Sequence, residues 1–156
     1  MSAYVLLKVV HVISATILFG TGMGIAYFKW AVDRSRDVQA MRIVAERVVL
    51  ADWLFTSPAI VVQLASGLAL AHLAGYPITR GWVACALILY LLAGACWIPV
   101  VVLQLRMRKL VREAAAGGSG LDPRYWWYCR TWLRLGVVAF SALIAVFWLM
   151  VAKPTF

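Results

Sequence analysis

Residues 4–30 read YVLLKVVHVISATILFGTGMGIAYFKW, and this stretch decides the fold of the chain. It exceeds the roughly 20 apolar residues that a helix needs to cross a bilayer. Lys8, His11 and Gly22 lie within it. An ionisable side chain inside a membrane span faces the protein interior, a partner or a cavity, because lipid does not solvate it. His11 is therefore the first candidate for a functional site.

The composition of the 156-residue chain is that of a membrane protein. Apolar side chains make up 65% of it and charged side chains 13%, which is more apolar surface than a soluble domain of this length can bury. The net charge is +9, and the cations cluster beside the apolar stretches. That distribution indicates contact with the lipid bilayer and argues against a nucleic-acid partner. The three cysteines contain no C-x-x-C pair and are interpreted as packing residues.

Four apolar stretches are long enough to span a bilayer. They predict an all-α, polytopic membrane protein in which one domain, residues 1–156, forms a four-helix transmembrane bundle. The expected spans are about 4–28, 53–75, 82–105 and 133–152.

The charges of the loops predict the orientation of the bundle. Five cations lie between the first two spans and seven in residues 106–134, whereas the loop after the second span contains only Arg80 and the tail only Lys153. The positive-inside rule then places both termini outside and the two basic loops in the cytoplasm.

The two basic loops contain predicted structure of their own. Residues 37–52 are expected to form a helix that Asp37 caps and that continues into the second span. Asp122 followed by Pro123 predicts a helix start, with the aspartate as N-cap and the proline at the first helical position. The aromatic and basic run RYWWYCRTW, 124–132, is typical of a belt at the membrane interface.

The chain has two histidines, and both fall within predicted spans. His11 lies about 10 Å and His72 about 6 Å below the outer surface, so a similar depth is expected for the two. Imidazole ligates haem iron, and two imidazoles supply both axial positions. The pattern predicts haem b with His11 as an iron ligand and His72 as the candidate for a second one, with one or two axial histidines left open. Lys8 and Arg80 are expected beside the propionates, and Gly22 leaves room for a flat ring. No catalytic residue is identified.

Other interpretations of the histidines differ in strength. A zinc site would need a thiolate or carboxylate at the same depth as the histidines, and none is expected there. A proton relay would need an acidic partner within the membrane, which the spans do not provide. A neutral histidine hydrogen-bonded across the bundle stays open for His11 and is favoured for His72. Gln63, Ser66 and Ser141 are interpreted as interhelical hydrogen-bonding groups. Hydrolytic catalysis is unsupported, because no serine, histidine and carboxylate triad can be assembled.

Three stretches carry a resemblance to a known family. KVVHVISATILFGTGMG, DWLFTSPAIVVQLASGLALAHLAGYP and the ending FWLMVAKPTF resemble a bacterial family of predicted integral membrane proteins of unknown function, over nearly the whole chain. This resemblance implies a multi-pass protein of the bacterial inner membrane.

A more distant resemblance concerns the opening K-x-x-H, from Lys8 to His11, and the ending VAKPTF. With the proline-containing second span, they resemble the four-helix HemJ-type protoporphyrinogen oxidase, and the opening is similar to CopD-type copper-resistance membrane domains. The resemblance implies that His11 is haem-associated. The HemJ-type family has a lysine early in its third span and an Asn-Glu-x-Pro element before its last, where this chain reads GWVACAL and RTWLRLGVV.

Two classes of function follow. The first is a haem b-binding membrane protein with a redox or electron-transfer role near the outer leaflet, and whether it is an enzyme stays open. The second is a non-enzymatic membrane subunit, or a permease for a small solute or metal, that contains no haem. Either class allows a homo-oligomer or a partner membrane subunit.

Overall fold

The structure is a computed structural model that describes residues 2–117 and 120–155. Four helical segments are long and apolar enough to cross a membrane, and no strand occurs in the described residues. The predicted all-α, four-helix membrane architecture is confirmed. The elements are α1 (Ala3–Ser35), α2 (Val38–Ala51), a π-helical turn (Asp52–Thr56), α3 (Ser57–Leu73), α4 (Gly81–Gly117) and α5 (Arg124–Ala152).

Large apolar side chains cover the outside of the bundle. Val61, Ile88 and Trp148 are each more than 60% exposed, and many other aliphatic and aromatic side chains are exposed on all four segments. Such a surface is stable only in contact with lipid, where the helical backbone satisfies its own hydrogen bonds. The chain is therefore an integral, multi-pass membrane protein.

Three of the helices extend beyond the predicted apolar spans at one end of the bundle. α1 continues to Ser35 and closes at Arg36, which has a left-handed φ of 58°. α4 continues to Gly117, and α5 begins at Arg124. These extensions carry most of the cations, and we call this end of the molecule the basic end.

The predicted helix in the first basic loop is confirmed. The carboxylate of Asp37 accepts hydrogen bonds from the backbone N–H groups of Gln39 and Ala40 and so caps α2. The helix continues through the π-helical turn into α3 without a break. The turn ends just before Pro58, whose missing N–H cannot continue the α-helical hydrogen-bond pattern.

The start of the last helix differs from the prediction by one position. α5 begins at Arg124 with Pro123 as its N-cap, so Asp122 lies one residue before the cap. The Asp122 carboxylate accepts a hydrogen bond from the Arg124 backbone at 2.8 Å and pairs with its guanidinium at 2.7 Å. Hydrogen bonds from Arg124 lower the pKa of Asp122. The acidic side chain thus pairs with Arg124, the first residue of α5.

The main apolar core lies at the basic end. Met41, Met107, Val111 and Tyr125 are almost completely buried there and join α2, α4 and α5. Elsewhere α4 packs along α5 and α1 packs along α3, whereas the backbones of α1 and α5 come close at few points and are bridged by side chains. This arrangement leaves a cleft between α1 and α5.

Candidate functional site

His11 lies in a buried polar cluster between α1 and α3. Its side chain is 8% exposed. Its Nδ1 is 2.8 Å from the Ser66 hydroxyl, and its Nε2 is 3.1 Å from the side-chain amide nitrogen of Gln63. Ser14 completes the cluster by donating to the Gln63 side-chain oxygen. Both ring nitrogens of His11 therefore have partners within the protein.

The hydrogen bonds specify the protonation of His11. The amide nitrogen of Gln63 only donates, so the Nε2 that it meets is the acceptor and carries no proton. Nδ1 then carries the proton and donates to Ser66, whose own hydroxyl donates to the carbonyl of Val62. With the Gln63 amide in this orientation, His11 is neutral and carries its proton on Nδ1.

Gln63 and Ser66 confirm their predicted role as interhelical hydrogen-bonding groups. Both are buried on α3 and bond to His11 of α1. Next to them, a Cβ on Gly67 would lie 3.0 Å from Cε1 of the histidine ring, so the two helices approach closely. Ser141 differs, because it is exposed on α5.

The geometry of His11 meets one requirement of a haem ligand and not another. A metal-ligating histidine donates its second ring N–H to a fixed acceptor, as His11 does to Ser66. The nitrogen that would reach the iron, however, already accepts from Gln63. Ligation of a haem iron by this nitrogen therefore requires the Gln63 side chain to move away from it.

The structure does not bring the two histidines together. His72 follows Ser66 by six residues on α3, so it lies about 9 Å further along the helix than the His11 cluster. It is also exposed, as are Lys8 and Arg80. This offset along α3 is larger than the similar depth of the two histidines would give, because His11 pairs with the middle of α3 and not with its end. No group of three or more histidine, cysteine or acidic side chains is placed to hold a metal in the described part of the chain.

Gly22 allows α1 to pack closely against α5 and leaves no empty space beside it. A Cβ at this position would lie 2.8 Å from Cζ of Phe140 on α5. Phe140 in turn packs edge-on against Phe19, with ring centroids 5.1 Å apart. The space that was expected to admit a flat ring is occupied by the Phe140 side chain.

A second polar cluster, at the basic end, joins α1 to α5. Lys29 is only 4% exposed, and its ammonium group donates to Asp33 at 2.6 Å and to the Tyr125 hydroxyl at 3.0 Å. The Tyr125 hydroxyl donates to the other oxygen of Asp33 at 2.6 Å. Cys129 lies 3.4 Å from both the ammonium and the carboxylate. The lysine also lies over the rings of Tyr125 and Trp132.

A cavity of about 400 Å³ opens beside this cluster, in the cleft between α1 and α5. Arg34, Arg36 and Arg130 line it, and all three are exposed. Among the described residues, none of the three pairs with a carboxylate. Asp33 is the acidic residue in the lining, and Lys29 and Tyr125 already engage it. The cavity therefore has an excess of positive charge.

The sequence did not predict the Lys29 cluster or the cavity beside it, although one feature of the sequence pointed to the ion pair. Lys29 and Asp33 are four residues apart, the spacing of an ion pair on one helix face. From the sequence, Lys29 is one of the five cations that predict the orientation, and the run 124–132 predicts an interfacial belt. Tyr125 is 1% exposed and Trp132 9% exposed, so the belt interpretation is wrong for both. It suits Trp127, which is 55% exposed.

Comparison with known proteins identifies one family. A family model with the description "Predicted integral membrane protein (DUF2269)" matches residues 5–154. No curated protein and no solved structure matches the chain. The resemblance to HemJ-type and CopD-type proteins stays a prediction.

Proposed function

The chain belongs to this family of predicted integral membrane proteins, and we propose that it acts without catalysis, by binding an anionic ligand at its basic end. The proposal includes a location in the bacterial inner membrane, with the basic end in the cytoplasm. The observation that carries it is the cavity between α1 and α5 with its three arginines.

The charges around the cavity select an anion. Arginine presents a planar set of donors that matches phosphate and carboxylate groups, and it is more weakly hydrated than lysine. Arg34, Arg36 and Arg130 converge on one space without a carboxylate to neutralise them. A bound anion supplies the missing counter-charge.

Two of the arginines are held in position by neighbouring indoles. The Arg34 guanidinium lies 5.0 Å from the ring centroid of Trp30, and that of Arg36 lies 4.7 Å from Trp126. Each such contact contributes about 0.5–1 kcal/mol at an exposed position. Because the side chains are already ordered, less conformational entropy is lost when the anion binds.

A soluble probe tests the proposal. In a neutral detergent, hexyl phosphate is expected to raise the thermal midpoint of the purified protein in a saturable way, because a ligand that binds only the folded state stabilises it. The double substitution Arg34→Gln and Arg130→Gln is expected to abolish the shift. Arg47→Gln is the matched control, since Arg47 is also exposed at the basic end but lies outside the cavity. An unsaturable shift, or one that the double variant retains, would exclude the cavity as the binding site.

Haem b ligation by His11, with an electron-transfer role, is a second proposal. It is supported by the proton on Nδ1 and the Ser66 acceptor, which orient the ring as a metal ligand requires. Haem, when bound, supplies one-electron chemistry. The residues that hold the ring are Ser66 and the close-packed Gly67, and Gln63 is the side chain that has to move.

A visible spectrum decides the haem proposal. Protein produced with ample haem is expected to show a Soret band that shifts on reduction with dithionite and is absent in His11→Ala. Gln63→Ala is expected to raise the haem content, because it removes the donor that occupies Nε2. A colourless wild-type protein and a colourless Gln63→Ala variant would end this proposal.

A further inference from the structure

We infer that the anion is the phosphate headgroup of an acidic glycerophospholipid, held between α1 and α5 by Arg34, Arg36 and Arg130. This inference rests on the proposed function and names its ligand.

The cavity lies at the depth of lipid headgroups. On α1 it begins where the apolar part of the helix ends, directly after the exposed aromatic residues Tyr27 and Phe28. On α5 its lining ends at Leu133, which is 50% exposed and begins the last apolar span. Aromatic side chains concentrate at the membrane–water interface in the same way. A lipid phosphate therefore reaches the arginines without leaving the leaflet.

The lining combines charged and apolar side chains. The three guanidinium groups belong to it together with Trp30, Trp132 and Leu133, and Leu133 begins the last apolar span. A volume of about 400 Å³ accommodates a phosphoglycerol headgroup and not the acyl chains. The acyl chains stay in the surrounding bilayer, because Phe140 packs against Phe19 and Gly22 and fills the space between α1 and α5 further along.

Because Lys29 is held in the buried ion pair, the exposed arginines are the cations that bind the ligand. The three donors of the Lys29 ammonium are used by Asp33, Tyr125 and Cys129, so the lysine stays in place when a ligand enters. The phosphate then meets only the exposed guanidinium groups. A zwitterionic lipid carries its own cation into the same space and is rejected by like-charge repulsion.

Native mass spectrometry of the full chain in a neutral detergent tests the inference. With phosphatidylglycerol added, we expect one lipid to remain bound per chain, and we expect phosphatidylcholine at the same concentration to dissociate. In the Arg34→Gln, Arg130→Gln double variant, retention is expected to weaken on the order of tenfold or more, because each arginine–phosphate contact is charge-assisted. Arg47→Gln is expected to retain the lipid as the wild type does. The helicity and thermal midpoint of the double variant without lipid serve as the folding control, and both are expected to match those of the wild type.

The outcomes separate the inference from the proposal beneath it. If hexyl phosphate shifts the thermal midpoint but phosphatidylglycerol is retained no better than phosphatidylcholine, the ligand is a soluble phosphoester and the lipid inference is wrong. If neither probe depends on the arginines, both the inference and the proposed function are wrong.

Discussion

At the scale of single residues, the two buried ionisable groups of α1 have opposite surroundings. His11 is neutral and surrounded by uncharged partners, whereas Lys29 is charged and paired with Asp33. Both side chains form their hydrogen bonds inside the bundle, because the hydrocarbon region of the membrane offers no partner. Both also join α1 to another helix, with Gln63 on α3 and Tyr125 on α5.

The ion pair of Lys29 leads to the first prediction. Lys29→Met leaves the Asp33 carboxylate without its counter-charge, and we expect a loss of about 3–5 kcal/mol in the free energy of unfolding. Lys29→Met with Asp33→Leu removes both charges and is expected to recover a substantial part of that loss. Unfolding in mixed micelles with increasing denaturing detergent measures both values. A single variant as stable as the wild type would show that the pair is not needed.

At the scale of the helices, the close approach of α1 and α3 depends on a glycine. Gly67 faces the ring of His11, and the polar bonds on either side hold that ring in place. The approach of α1 to α5 depends in the same way on Gly22, which faces Phe140. A Cβ at Gly20 or Gly24 of the same helix would meet nothing within 4 Å.

A matched pair of substitutions tests the α1–α3 contact. A Cβ at Gly67 would come within 3.0 Å of His11, whereas a Cβ at Gly94 on α4 would meet nothing within 4 Å. Each Gly→Ala change gains about 1 kcal/mol of helix propensity, so the difference between the two variants reports the crowding alone. We expect Gly67→Ala to be less stable than Gly94→Ala, by about 1–3 kcal/mol. Equal stabilities in the same detergent titration would contradict the packing.

At the scale of the whole molecule, four spans put both termini on the same side of the membrane. The two ends of the bundle differ in their packing as well as in their charge. The basic end contains the apolar core and the Lys29 cluster, and the opposite end contains the exposed loop with Arg80. An even number of spans leaves open on which side of the membrane the termini lie. The prediction that they lie outside therefore rests on the charges of the loops.

Cysteine labelling tests that orientation. In a background without the three native cysteines, a membrane-impermeant thiol reagent applied to whole cells is expected to label Thr79→Cys and not Gln39→Cys. Both positions are exposed, and they lie at opposite ends of the bundle. Permeabilised cells are expected to show both labelled, which controls for reactivity. Labelling of Gln39→Cys alone from outside would reverse the topology.

The sequence by itself determined the class of protein, the four spans and the helix after Asp37. These follow from local properties, because the length of an apolar run and the identity of a capping residue do not depend on distant parts of the chain. It also identified Gln63 and Ser66 as groups that bond between helices, since a polar side chain in a span needs a partner.

Only the tertiary structure decided which partners those side chains meet. The cluster of His11 joins residues 52 and 55 positions apart, and that of Lys29 joins residues 96 and 100 apart, so helix packing alone brings them together. The same packing places His72 away from His11 and fills the space beside Gly22 with Phe140. It also forms the basic cavity, because α4 packs on α5 and α1 on α3, so that side chains such as Lys29 and Tyr125 bridge α1 and α5 beside the arginines.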